Sequence, residues 1–144
     1  MDHTLDQWLS EEIASFPGKV SLLMTDLESG EVLHSFQPDT VVTSASTIKL
    51  PILLTVMEGV QRETFQLQQP VKVPESVILP DTTVFEPENR RETYSLLELL
   101  YWMITVSDNT ATNVLIDLVG MDAVTGLCHR WGASHTQLQR NMLD

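Results

Sequence analysis

Residues 44–51 read SASTIKLP, and the placement of one serine and one lysine in that stretch decides how the rest of the chain is read. On a helix, residues three apart share a face, so Ser46 and Lys49 can touch. With Thr43 or Ser44 as N-cap, Ser46 falls in the first turn, where backbone N–H groups lack intrahelical partners. The partial positive charge of that end favours a developing oxyanion and disfavours an ammonium. Burial among Ile48, Leu50 and Ile52 lowers the lysine pKa further by desolvation. A neutral amine beside a hydroxyl can take its proton and leave a nucleophile. Pro51 complicates this, because inside a helix it removes the bond to the Thr47 carbonyl and distorts the first turn towards a 3₁₀ form. An alternative starts the helix near Leu50 with Pro51 at N1, leaving Ser46 and Lys49 as loop residues.

A second string, SDN at 107–109, stands between two apolar helical runs. Asp108 has a structural task available there as N-cap of the helix that follows. A functional role requires Ser107 and Asn109 to point out of that junction into a cleft. Alone, each string is a weak pattern.

Together, SxxK followed by SDN is the signature of class A β-lactamases and penicillin-binding proteins. VVTSASTIKLPILL (41–54) resembles the nucleophile segment of these serine hydrolases, and SDNTATNVLIDLVG (107–120) resembles their second-motif helix, with Asn113 and Leu115 in place. The resemblance implies that Ser46 attacks a carbonyl and forms an acyl-enzyme, with Lys49 as general base. It also implies that Ser107 relays a proton to the leaving nitrogen, that Asn109 holds a substrate amide, and that the Ser46 N–H supplies half of an oxyanion hole. Three departures accompany it. The third motif, K-[TS]-G, does not occur, since Lys19, Lys49 and Lys72 precede Val, Leu and Val. QLQRNMLD (137–144) resembles the loop that carries the deacylating glutamate, with Arg140 at the arginine, but Met142 stands where the glutamate would be. The chain stops within that loop and resembles the N-terminal half or so of a complete member.

The expected function is a serine hydrolase acylated at Ser46 by a β-lactam, peptide or ester, with poor β-lactam deacylation and with these 144 residues inactive by themselves. A catalytically silent binding or scaffold domain that keeps the fold is the alternative. In either case a complementary C-terminal chain, or a swapped homodimer, would complete the structure. No cofactor is implied.

Composition fits a globular domain: 42% of residues are hydrophobic, and eight basic residues against twenty acidic give a net charge of −12. That charge disfavours nucleic acid and anionic membranes as partners. Cys128 is the single cysteine, so no intrachain disulfide forms, and the four histidines show no metal-ligand spacing. The acidic N-terminus lacks the apolar core of a signal peptide, which implies a cytoplasmic form or an exported protein whose signal has been removed. No stretch is long enough to span a bilayer.

Along the chain, Thr4 and Gln7 form a capping box ahead of Leu5, Trp8, Leu9, Ile13 and Phe16 at helical spacing, and Pro17-Gly18 stops that helix. KVSLLMTDL (19–27) and EVLHSF (31–36) read as a hairpin around the turn ESG. Helices are expected at 47–60, 96–106, 109–119 and over AVTGLCHRW (123–131), the second opened by a Ser95–Glu98 capping box and the last capped by Asp122. LLELLYWMITV (96–106) is apolar all round and is expected to be central and buried. QPVKV (69–73) could be an edge strand inside a long, proline-punctuated connection. The fold class is therefore α+β, a β-lactamase/transpeptidase-like α/β sandwich in which 1–36 supplies a helix and hairpin of the sheet part and 44–144 the mainly helical part. Two strands do not make a stable sheet, so the antiparallel sheet is incomplete in this chain.

Overall fold

The computed structural model describes residues 4–143. Over the described residues the protein is α+β, with five α-helices and two short antiparallel sheets, and it divides into two compact units between Thr43 and Ser44.

The first unit holds α1 (Leu5–Ser15), β1 (Leu22–Thr25) and β2 (Val32–Phe36). Both halves of the Thr4/Gln7 capping box are made, and the helix ends at Ser15, with Phe16 as its C-cap just before Pro17. The hairpin pairs Leu22 with Phe36 and Met24 with His34. It is shorter than its apolar pattern, because Asp26 breaks it: its Oδ1 accepts from the N–H groups of Glu28 and Ser29, and Gly30 takes a φ of +73°. His34 Nδ1 lies 2.7 Å from Asp6 Oδ1, tying the hairpin to α1. Leu23, Val32 and Leu33 remain exposed.

The second unit contains α2 (Lys49–Gln61), β3 (Pro70–Lys72), β4 (Thr93–Ser95), α3 (Leu96–Thr105), α4 (Asn109–Val119) and α5 (Met121–Arg130). Its core is Ile52 and Val56 of α2, Leu96, Leu99 and Met103 of α3, Leu115 and Ile116 of α4 and Val124 of α5. Each such side chain contributes about 1.5–3 kcal/mol through removal from water. Phe85, Tyr94 and Trp102 pack edge-to-face with centroids 5.0–5.3 Å apart, fastening the long 61–93 connection to β4 and α3.

Two expectations need correction. α3 is not buried all round: Leu97, Tyr101 and Ile104, on one face at i, i+4 and i+7, are exposed. An apolar helix shows which residues could be covered, not which are. Asp122 does not cap α5. Gly120, with φ +81°, ends α4 and begins α5, and the two axes differ by 83°, leaving Asp122 inside the first turn. The edge strand at 70–72 is present, but its partner β4 lies in a stretch read as connection. No single described helix is long and apolar enough to cross a membrane.

Candidate active site

The 44–51 segment enters α2 through a 3₁₀ turn over Ala45–Ile48. Pro51 accounts for it. Without an N–H, the proline cannot bond back to Thr47, so an α-helix cannot be continued through this turn. Ser44 occupies the N-cap without a side-chain cap, and Ala45 sits at φ +44°, strained for a residue with a β-carbon. Ser46 thus stands on an unusual turn immediately before the α-helix.

Lys49 is the first residue of α2 and only 3% exposed, between the buried Ile48 and Ile52, whereas Leu50 turns outwards. Three acceptors surround its ammonium: the Ser107 carbonyl at 2.6 Å, Ser107 Oγ at 2.8 Å and Asn109 Oδ1 at 2.8 Å. Desolvation holds the Lys49 pKa below the ordinary lysine value, opposed by the negative charges of Asp108 and Asp81.

Ser107 faces Lys49 because its backbone is in the left-handed region, at φ +58°. That conformation, uncommon for a serine, turns both its carbonyl and its hydroxyl onto the amine. Ser107 Oγ also donates to Ser46 Oγ at 3.0 Å. No hydrogen bond joins Ser46 and Lys49 directly. Ser107 is the bridge.

Asp108 is the structural member of the triplet. Buried, it accepts from the Ala111 N–H at 2.8 Å as N-cap of α4, and its second oxygen accepts from the Thr82 hydroxyl at 2.6 Å. Thr110, also buried, accepts from the Leu79 N–H at 2.9 Å. The 79–82 loop is therefore stitched to the start of α4. Between these two anchors Asp81 projects to Asn109, accepting from Nδ2 at 2.6 Å.

Sequence reasoning brought Ser46, Lys49, Ser107 and Asn109 together, and the fold does so. It missed Asp81 and Thr82, whose only signal was a place in a long connection, where functional residues concentrate. Asn113 clamps the C-terminal segment: its Oδ1 accepts from the Met142 N–H at 2.7 Å and its Nδ2 donates to the Met142 carbonyl at 3.2 Å. A cavity of about 480 Å³ lies against the same loop, touching Pro80 and Thr82, but none of the four site residues lines it. Among the described residues, no group of three His, Cys, Asp or Glu could hold a metal ion.

Ser46, Ser107, Lys49 and Asn109 thus form one hydrogen-bonded chain between the turn before α2 and the start of α4. The chain belongs to the β-lactamase enzyme family, whose sequence profile matches residues 4–144. It is 28% identical over 125 residues to the β-lactamase regulatory protein BlaB of Streptomyces cacaoi, covering 86% of this chain and 40% of that protein. Among solved structures, PBP-A is similar with a TM-score of 0.84 and 30% identity, over 96% of this chain and 52% of PBP-A. A β-lactamase from Sphaerobacter thermophilus is 33% identical with a TM-score of 0.72, over 78% and 43% of the two chains. An ancestral class A β-lactamase shares the fold, with a TM-score of 0.87 at 23% identity over 97% and 54%. The chain therefore spans about half the length of these structures, and less of BlaB.

Proposed function

We propose that the protein containing this chain is acylated at Ser46 by β-lactams or related amides and esters, and that it releases the acyl group slowly. The observation that carries this reading is the continuous path Ser46 Oγ–Ser107 Oγ–Lys49 Nζ, with steps of 3.0 and 2.8 Å.

The chemistry follows from that path. In the ammonium form Lys49 has no lone pair and only donates, to its three acceptors, so it cannot act as a base. In the neutral form, two N–H groups remain on the Ser107 carbonyl and Asn109, and the lone pair accepts the Ser107 hydroxyl proton. Ser107 then accepts the proton of Ser46 as its oxygen bonds to the substrate carbonyl carbon. Return of a proton from Lys49 through Ser107 to the substrate nitrogen breaks the C–N bond and leaves an ester at Ser46. Asn109, held by Lys49 and Asp81, presents its remaining N–H for a substrate carbonyl.

Release needs a base to activate water against that ester. Met142, at the position the resemblance gives to the glutamate, cannot accept a proton. PBP-A, the relative of similar fold, has been captured in a substituted form as its acyl-enzyme complex with penicillin G. A long-lived adduct would also suit a regulatory role such as that of BlaB, a β-lactamase regulatory protein.

A fluorescent penicillin added to the full-length protein should give a covalent adduct that mass spectrometry maps to Ser46, persists after removal of free drug, and is lost in Ser46→Ala. Equal labelling of Ser46→Ala would overturn the assignment.

A further inference from the structure

We propose that Asp81 makes this site select acyl donors that carry a cationic amine next to the acyl carbonyl and disfavour those that carry an anion there. The inference rests on Ser46 being the acylated nucleophile and deepens it by naming a substrate class. Asn109 links the nucleophile to Asp81: its Oδ1 meets Lys49 Nζ at 2.8 Å and its Nδ2 meets Asp81 Oδ2 at 2.6 Å. A carboxylate only accepts, so Asp81 fixes which end of the Asn109 amide faces outwards as donor. One Nδ2 hydrogen goes to Asp81 and the other stays free for an acyl carbonyl. A substituent on the carbon beside that carbonyl then comes next to the Asp81 carboxylate.

Three features distinguish Asp81 from an ordinary surface acid. Its loop is fastened on both sides, by Leu79 to Thr110 and by Thr82 to Asp108, so the charge is held in place. It is exposed, so a ligand can reach it. Among the described residues it forms no ion pair: of the arginines in the same connection, Arg90 is committed to Glu75 and the Phe85 carbonyl, Arg91 to Glu98 and Arg62 to Glu58. The site cation, Lys49, is buried on the far side of the Asn109 amide. The outer rim of the site therefore carries a fixed negative charge that Lys49 offsets only in part, beside a hydrogen-bond donor, which complements a carbonyl flanked by an ammonium group.

Three penicillins with one nucleus test this: ampicillin, with an amine on the side-chain carbon next to the acyl carbonyl, benzylpenicillin, with no charge there, and carbenicillin, with a carboxylate. Second-order acylation constants of Ser46 in the full-length protein are measured by competition with a fluorescent penicillin. Attraction and repulsion at an exposed carboxylate are each worth about threefold, so the ampicillin-to-carbenicillin ratio should fall by about tenfold from the native protein to Asp81→Asn. In the native protein the ratio should also shrink as salt rises from about 0.05 M to about 0.5 M. A merely structural role would change all three constants by one factor, and that result overturns the proposal. So does a ratio that does not respond to salt. Labelling of Ser46 without charge preference refutes this inference alone, whereas no labelling by any of the three refutes the serine nucleophile and this inference with it.

Discussion

Lys49 is almost wholly removed from water, yet every hydrogen it carries as an ammonium has an acceptor. Desolvation nevertheless dominates, and the folded pKa lies below 10.5, with Asp108 the first of two acids that limit the fall. The proposed base is the neutral amine, so acylation should rise with pH through the folded pKa of Lys49 and level off above it. Asp108→Asn removes the larger opposing charge and keeps a side-chain oxygen for the Ala111 N–H. The rising limb should therefore move to lower pH, as read from acylation rates of a fluorescent penicillin across pH. A limb unmoved by this change would mean that another group titrates. The unfolded lysine holds its proton up to about 10.5, so between the folded pKa and that value the unfolded chain binds more protons, and Lys49 makes stability rise with pH in that window.

Among the elements, the junction of β4 and α3 does two jobs with one residue. Ser95 closes the strand pair opposite Pro70 and caps α3, accepting from the Glu98 N–H while Glu98 accepts from the Ser95 N–H at 2.8 Å. Arg91 holds the same glutamate and lies 4.4 Å from the centre of the Tyr94 ring. Ser95→Ala should cost about 1 kcal/mol by urea denaturation of the full-length protein, through loss of the cap, and leave Ser46 acylation unchanged. The capping box was legible because it is local: Ser95 and Glu98 announce it three residues apart. β4 was not, since Thr93-Tyr94-Ser95 is too short to show an alternating pattern and gains its identity only from Val71 across the ladder. The same contrast runs through the site. The motif spacing revealed Ser46, Lys49, Ser107 and Asn109, while Asp81 reaches Asn109 from 28 residues away through a loop without periodicity. The left-handed backbone of Ser107 was equally silent, because a serine does not announce a positive φ as a glycine would.

At the scale of the whole chain, the nucleophile turn, the SDN corner and the last segment are assembled by α4, which carries Asn109 at its start and Asn113 one turn later. Asn113 grips position 142 through that residue's backbone alone, accepting one bond from its N–H and donating one to its carbonyl. The identity of the side chain at 142 is therefore free to change without loosening the clamp, and a base could be installed where methionine stands. Met142→Glu in the full-length protein introduces a carboxylate that could activate water against the Ser46 ester, an effect worth ~10²-fold when a general base is well placed. Met142 packs partly against the core, so a modest loss of stability is expected alongside. Acylation should change little, because the proposed base for that step is Lys49, while the labelled adduct should disappear faster and steady-state hydrolysis of a chromogenic cephalosporin should rise with it. If the variant folds, keeps its labelling rate and releases the acyl group no faster, then the residue at 142 is not what limits release, and the slow step must be sought in how water reaches the ester.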